Sequence, residues 1–204
     1  MITESINIML YVERYGARIP EGSVIIDTTS HSNDWSRDLS PFYLLGGHLY
    51  QDYFAENVEN AWQASKVYLE FVDENDNPTE KYFEWAKSIW KSKYAFRYPM
   101  GRGRKPLYSW WDGEKLTYVE ARKRIYIPIY SRAVIETNGF KKLKELVETD
   151  PRDIYLIDFD GYNHIKMKKS MKEVINDPYK KMGHAFVLHS LLVKEPEVNA
   201  KPLF

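Results

Sequence analysis

The chain has 204 residues, 44% of them hydrophobic, which suits one domain, since a single core stays efficient up to about 250 residues. Its 29 basic and 29 acidic residues cancel, so whole-chain charge gives no ground for polyanion binding, and the absence of cysteine excludes disulfides and thiolate sites and fits a reducing, cytoplasmic compartment. No apolar run approaches the roughly 20 residues that cross a bilayer, and "MITESINIML" lacks the basic start and apolar core of a signal peptide, so a soluble, unsecreted protein with no membrane partner is expected.

Between Met9 and Asp27, "IMLYVERY" and "SVIIDTT" read as two strands around the turn "GARIPEG". "SHSNDWSRDLSPFYLL" is loop-like, and "GGHLYQDY" is a short strand or turn. Val58, Trp62, Ser65 and Leu69 line one side of a helix expected from about Asn57 to Glu70. A second helix starts at Thr79, with Tyr82, Phe83, Ala86, Ile89 and Trp90 as its apolar face, and "YPMGRGRKP" is a loop. Helix is expected from Tyr118, with a kink or break near Ile127 caused by Pro128. Phe140, Leu143 and Leu146 mark a short amphipathic helix, "DIYLIDFDGYNH" is the clearest strand and turn, and His184 to Val193 form an apolar helix with Gly183 at its start. The tail 194–204 is expected to be poorly ordered. These elements predict a mostly helical α+β domain with a few short strands.

Charge is unevenly spread. From Lys91 to Arg132 the basic residues, Arg97, Arg102 and Arg104 among them, face only Asp112, Glu114 and Glu120, and the same stretch holds Tyr94, Phe96, Tyr98, Trp110 and Trp111. Cations interleaved with aromatics suit ligands that carry phosphates and bases, although a solvated basic face over core aromatics has the same composition. The turn "MGRGRKP" could cradle phosphate with its backbone N–H groups, but it lacks the Gly-Lys-Ser/Thr ending of a P-loop.

"LIDFDG" resembles the nucleophile loop of haloacid dehalogenase phosphohydrolases, in which Asp158 would attack phosphorus and Asp160 act as acid/base beside Mg²⁺. That family builds a large sheet after the loop, whereas 44 residues follow Asp160 here; a strand end whose carboxylates cap a turn is the plainer alternative. The histidines His31, His48, His164, His184 and His189 include no pair at i and i+4, and His184 and His189 fall about 140° apart on a helix, so no metal or other cofactor is expected.

In "ENAWQASK", Glu59, Gln63 and Lys66 fall four and three apart, which on a helix sets a carboxylate, a carboxamide and an ammonium along one side. Trp62, Ala61 and Val58 make much of this helix buried, and a buried polar stripe costs several kcal/mol unless satisfied. A surface ion pair is the bland reading and an active-site floor the sharp one.

The ordered pieces "HSNDWSRDLSPFY", "LLGGHLYQDY", "ENAWQASK", "MGRGRKPL", Trp110 or Trp111, "DFDGYNH" and "KKMGHAFVL" together resemble the NADAR N-glycosidase superfamily over roughly residues 30–193. The resemblance implies cleavage of the N-glycosidic bond of a phosphorylated ribose or an ADP-ribose adduct, with a nucleotide, an ADP-ribose-type ligand or modified nucleic acid as partner. It implies that Glu59 and Asp160 stabilise an oxocarbenium-like centre, one also activating water, with Lys66 orienting Glu59. It implies substrate binding by Asn33, Phe42, Gln63, Arg97, Arg102, Arg104, Trp110 or Trp111, Asp158 and Tyr162. The family's Asp-x-x-Trp-Gly turn is here Asp160-Gly-Tyr-Asn-His, which motivates a noncatalytic nucleotide or nucleic-acid binding module as the alternative. An Asp-dependent phosphohydrolase is the lesser one.

Overall fold

The computed structural model of the chain describes residues 9–193, so the expectation for the tail 194–204 lies outside the described residues. The strands are β1 Leu10–Arg14, β2 Val24–Asp27, β3 Gly47–His48, β4 Phe54–Ala55, β5 Lys66–Val67, β6 Tyr108–Trp111, β7 Glu114–Leu116 and β8 Ile154–Asp158. The helices are α1 Val58–Ala64, α2 Glu80–Trp90, α3 Tyr118–Ala121, α4 Ile127–Val134, α5 Asn138–Thr149, α6 Met171–Asn176 and α7 His184–Leu192. The protein is α+β, with helix outweighing strand. Among the described residues, no helix is long and apolar enough to cross a membrane. The chain divides into two compact units, Met1–Ser40 with Val134–Phe204, and Pro41–Ala133.

In the first unit β8 is the centre of a parallel sheet of order β1-β8-β2. The turn between β1 and β2 is present, but its two strands do not pair with each other: Val12 and Ile26 both face Leu156 from opposite sides. All five residues of β8 are buried, as expected of a parallel strand covered on both faces, which is why its run is apolar and not alternating. Tyr11 and Tyr155, paired in register, stack with centroids 4.7 Å apart. Helix α7, buried from His184 to Ser190, packs on β1 and β8. Helix α5 starts where the Thr137 hydroxyl accepts the Phe140 N–H, and it packs on a short 3₁₀ turn, Trp35–Leu39, inside the segment read as loop.

In the second unit α1 packs on α2, β3 and β4 form a small hairpin, and β5-β6-β7 form an antiparallel sheet. The helix expected to reach Glu70 ends at Ala64. Its last carbonyls are taken from outside: Tyr82 Oη donates to Ala64 O at 3.0 Å, and Trp110 N donates to Ser65 O at 2.7 Å. Tertiary contacts thus convert the next residues, Lys66 and Val67, into a strand paired with β6.

Pro128 does not break its helix. Residues Arg122–Tyr126 form a π-helical turn between α3 and α4, and the Ile127 N–H donates to Arg122 O five residues back. The ring of Pro128 would crowd the carbonyl four residues earlier in a regular helix, and the wider turn immediately upstream absorbs that conflict.

Candidate functional site

In the second unit the stripe Glu59–Gln63–Lys66 is a continuous hydrogen-bonded chain. Gln63 Nε2 donates to Glu59 Oε1 at 2.8 Å, and Lys66 Nζ donates to Gln63 Oε1 at 2.7 Å. Glu59 is 6% exposed, while Gln63 and Lys66 are half-buried. Only Glu59 and Gln63 share the helix; Lys66 reaches Gln63 from β5. The lysine therefore acts on the carboxylate through the carboxamide, whose oxygen is held by a cation while its N–H₂ faces an anion. Trp62 is the aromatic floor: Lys66 Nζ lies 4.8 Å from its ring centroid, and the Tyr126 ring packs tilted against it with centroids 5.2 Å apart.

The other residues expected in this unit are dispersed among different tasks. Arg102 is exposed in the glycine turn, Arg97 lies over the Tyr98 ring at 5.5 Å, and Arg104 is paired with Glu70. Phe42 is half-buried. Trp111 packs on Tyr50 with centroids 4.8 Å apart, whereas Trp110 meets Phe83 edge-on at 6.3 Å.

In the first unit the strand end is self-satisfied. Asp158, 4% exposed, accepts from the N–H of Asp160 and of Ala185, both at 3.0 Å, and pairs with His184 Nδ1 at 3.0 Å. His184 Nε2 is 2.7 Å from Thr28 O. A Cβ on Gly183 would collide with the Asp158 carboxylate, so glycine at the helix start is a requirement of close approach. These contacts are the turn-capping arrangement of a strand-ending Asp, in place of an open carboxylate pair. Asp160 is half-buried and its carboxylate lies 3.7 Å from Lys181 Nζ. Tyr162 packs on Phe186 at 4.6 Å, and Asn33 is exposed beside the hydrogen-bonded Ser32, Asp34 and Ser36 side chains. Burial alone would raise the Asp34 pKa, but hydrogen bonds from Ser36 and Ser32 outweigh it and hold it low. Among the described residues no group of three or more His, Asp or Glu is placed to hold a metal ion.

A family model matches residues 11–186, from β1 into α7. The chain belongs to DUF6939, a family of unknown function. No curated protein and no solved structure matches the chain.

Two residues of this DUF6939 chain that sequence reasoning did not single out are prominent in the structure. Asn60, fully buried, donates to the carbonyls of Ile89, Ser92 and Tyr94 at 3.0, 3.1 and 2.8 Å and accepts the Phe96 N–H at 2.8 Å. It fixes the start of the basic aromatic stretch to α1. Arg122, 1% exposed, sits in the π-helical turn with its guanidinium 4.6 Å from the Tyr118 ring. π turns are frequent at functional sites, an arginine is almost never fully buried unless it is paired, and no local signal announces this one before the turn is seen.

Proposed function

We propose that this protein hydrolyses the N-glycosidic bond of a phosphorylated ribose or ADP-ribose adduct. The observation that carries the reading is the buried Glu59 carboxylate, held by Gln63 and through it by Lys66. Breaking a C1′–N bond builds positive charge at the sugar, and a carboxylate fixed in a site of low dielectric stabilises that charge most as it develops. Gln63 keeps Glu59 in one orientation, and the Lys66 ammonium in turn fixes the Gln63 carboxamide. The exposed Arg102 supplies a guanidinium for phosphate oxygens. The resemblance of "ENAWQASK" to the NADAR motif supports the same chemistry, and the cysteine-free composition fits action in the cytoplasm. The test is a screen of nucleotides, ADP-ribose conjugates and ADP-ribosylated DNA for release of a free base or reducing sugar without added metal. Release from one class supports the reading; no release from any contradicts it.

One observation favours a second reading, noncatalytic binding of a nucleotide or nucleic acid. Tyr94, Phe96 and Tyr98 are 81%, 39% and 42% exposed, interleaved with Lys91, Lys93 and Arg97, as in surfaces that stack bases and track phosphates. Binding of single-stranded oligonucleotides with no product in the screen selects this reading.

A further inference from the structure

Helix α3 and the π-helical turn that follows it bring further rings to the Glu59–Gln63–Lys66 chain. Glu59, Trp62 and Gln63 fall at i, i+3 and i+4 on α1, so the indole stands on the face that carries the carboxylate and the carboxamide. Lys66 joins ring and chain: its Nζ donates to Gln63 Oε1 at 2.7 Å and lies 4.8 Å from the Trp62 ring centroid. Tyr126 packs on that indole with centroids 5.2 Å apart, and Tyr118 meets it at 6.2 Å with the two planes inclined by 44°. Tyr126 is 7% exposed and belongs to the core. Trp62 is half-buried and Tyr118 is 38% exposed, so these two rings keep surface that a ligand can reach.

The outermost ring is held from beneath. The Arg122 guanidinium lies 4.6 Å from the Tyr118 centroid, and because Arg122 is buried it takes the inner side of the ring. The accessible part of Tyr118 is therefore its outer face and edge. Thr117 and Glu120 form a reciprocal capping box at the start of α3, which fixes the backbone that carries Tyr118. A ring set in place by a buried cation and a capped helix start loses little freedom when a second ring stacks on it.

We infer that Tyr118, with Trp62 at its side, is the surface on which the departing base stacks. The leaving group is then a flat heterocycle, a purine or a pyrimidine, and not an aliphatic amine, which has no face to offer the rings. One base stacked on an aromatic side chain is worth roughly tenfold to a hundredfold in affinity. The stacking role passes from Trp110 and Trp111, which pack on Phe83 and Tyr50, to rings next to the buried carboxylate. Naming the occupant as a departing base rests on the hydrolytic reading; the stacking surface itself does not.

The experiment is calorimetric titration of the full chain with adenosine and cytidine 5′-monophosphates, against ribose 5-phosphate, run beside the base-release screen. Ribose 5-phosphate keeps the sugar and phosphate and lacks the base, so each nucleotide should bind about tenfold or more tighter than it. Tyr118→Leu should abolish that preference, and Tyr118→Phe, which keeps the ring, should retain it, with melting temperatures showing that both variants fold. If Tyr118→Leu does not fold, fluorescence decides: the nucleotides should quench tryptophan emission in wild type and lose that quenching in Trp62→Phe. Base release in the screen without any preference for nucleotides over ribose 5-phosphate overturns the inference and leaves hydrolysis standing. A preference that Tyr118→Leu abolishes, with no base released, upholds the surface and removes the hydrolytic reading alone. The inference is also overturned if Tyr118→Leu folds and binds the nucleotides as wild type does, or if quenching persists unchanged in Trp62→Phe.

Discussion

Gln63 stands between Glu59 and Lys66, giving its amide N–H to the carboxylate at 2.8 Å and taking the ammonium on its oxygen at 2.7 Å. Gln63→Leu keeps the side-chain bulk and removes both bonds. It should lower stability by about 1–3 kcal/mol, the cost of leaving a buried charged acceptor short of a donor. Urea denaturation measures this. Gln63→Glu should also destabilise, because it replaces the donor to Glu59 with a second carboxylate at the same distance.

Asn60 should be the most sensitive position on α1. Asn60→Ala removes the acceptor of the Phe96 N–H. It also takes one donor from each of the carbonyls of Ile89, Ser92 and Tyr94, which keep the Ser92 N–H, Asn57 Nδ2 and Ser92 Oγ respectively. The expected cost is about 2–4 kcal/mol, or roughly 5–15 °C in Tm for a chain of this size. Limited proteolysis should show earlier cleavage between residues 91 and 107, since Asn60 ties the first part of that segment down.

Gly183→Ala tests the packing at the start of α7. The added methyl collides with the Asp158 carboxylate, so either the helix or the strand end must shift. A destabilisation of about 1–3 kcal/mol is expected from such overpacking. A melting curve identical to wild type would show that the Asp158–Ala185 contact is not held as described.

His164 and His189 lie edge to face at 4.9 Å, both buried, and His189 Nε2 is 3.1 Å from Leu10 O. Desolvation, then the neighbouring His164, holds the His189 pKa down at about 4, and burial lowers His164 as well. Unfolding restores the ordinary value near 6.5, so between those two values the unfolded chain binds more protons. Stability is complete above about pH 6.5 and falls as pH drops toward about 4. His189→Gln should flatten that decline in a series of melting temperatures taken from pH 7 to 4.

Much of this architecture was legible in the sequence because some segments carry their own instructions. The run "IYLID" is apolar enough for a fully buried strand, Thr79 and Gly183 stand at the starts of α2 and α7, and the α5 face follows Phe140, Leu143 and Leu146. What was not legible depended on distant partners. The end of α1 is set by Tyr82 and Trp110, and the placement of β8 between β1 and β2 brings together residues more than a hundred positions apart. Pro128 is a breaker by local rule, yet a π turn accommodates it. The β6–β7 hairpin has a local signal in its turn, Asp112-Gly113 between Trp111 and Glu114, with both residues at positive φ. At the candidate site the polar stripe was visible as spacing, but the relay through Gln63 needed the β5 strand that carries Lys66.

The most direct measurement of the central claim is turnover by Glu59→Gln on whichever substrate the screen identifies. If Glu59 stabilises charge that develops mainly in the transition state, the amide keeps the shape and loses the stabilisation. The account predicts a fall in turnover of about a hundredfold or more, with ligand affinity and Tm little changed. Arg102→Ala should instead weaken binding of phosphate-bearing substrates. A Glu59→Gln protein that folds like wild type and retains full turnover would contradict the account and leave the Glu59–Gln63–Lys66 chain a structural feature.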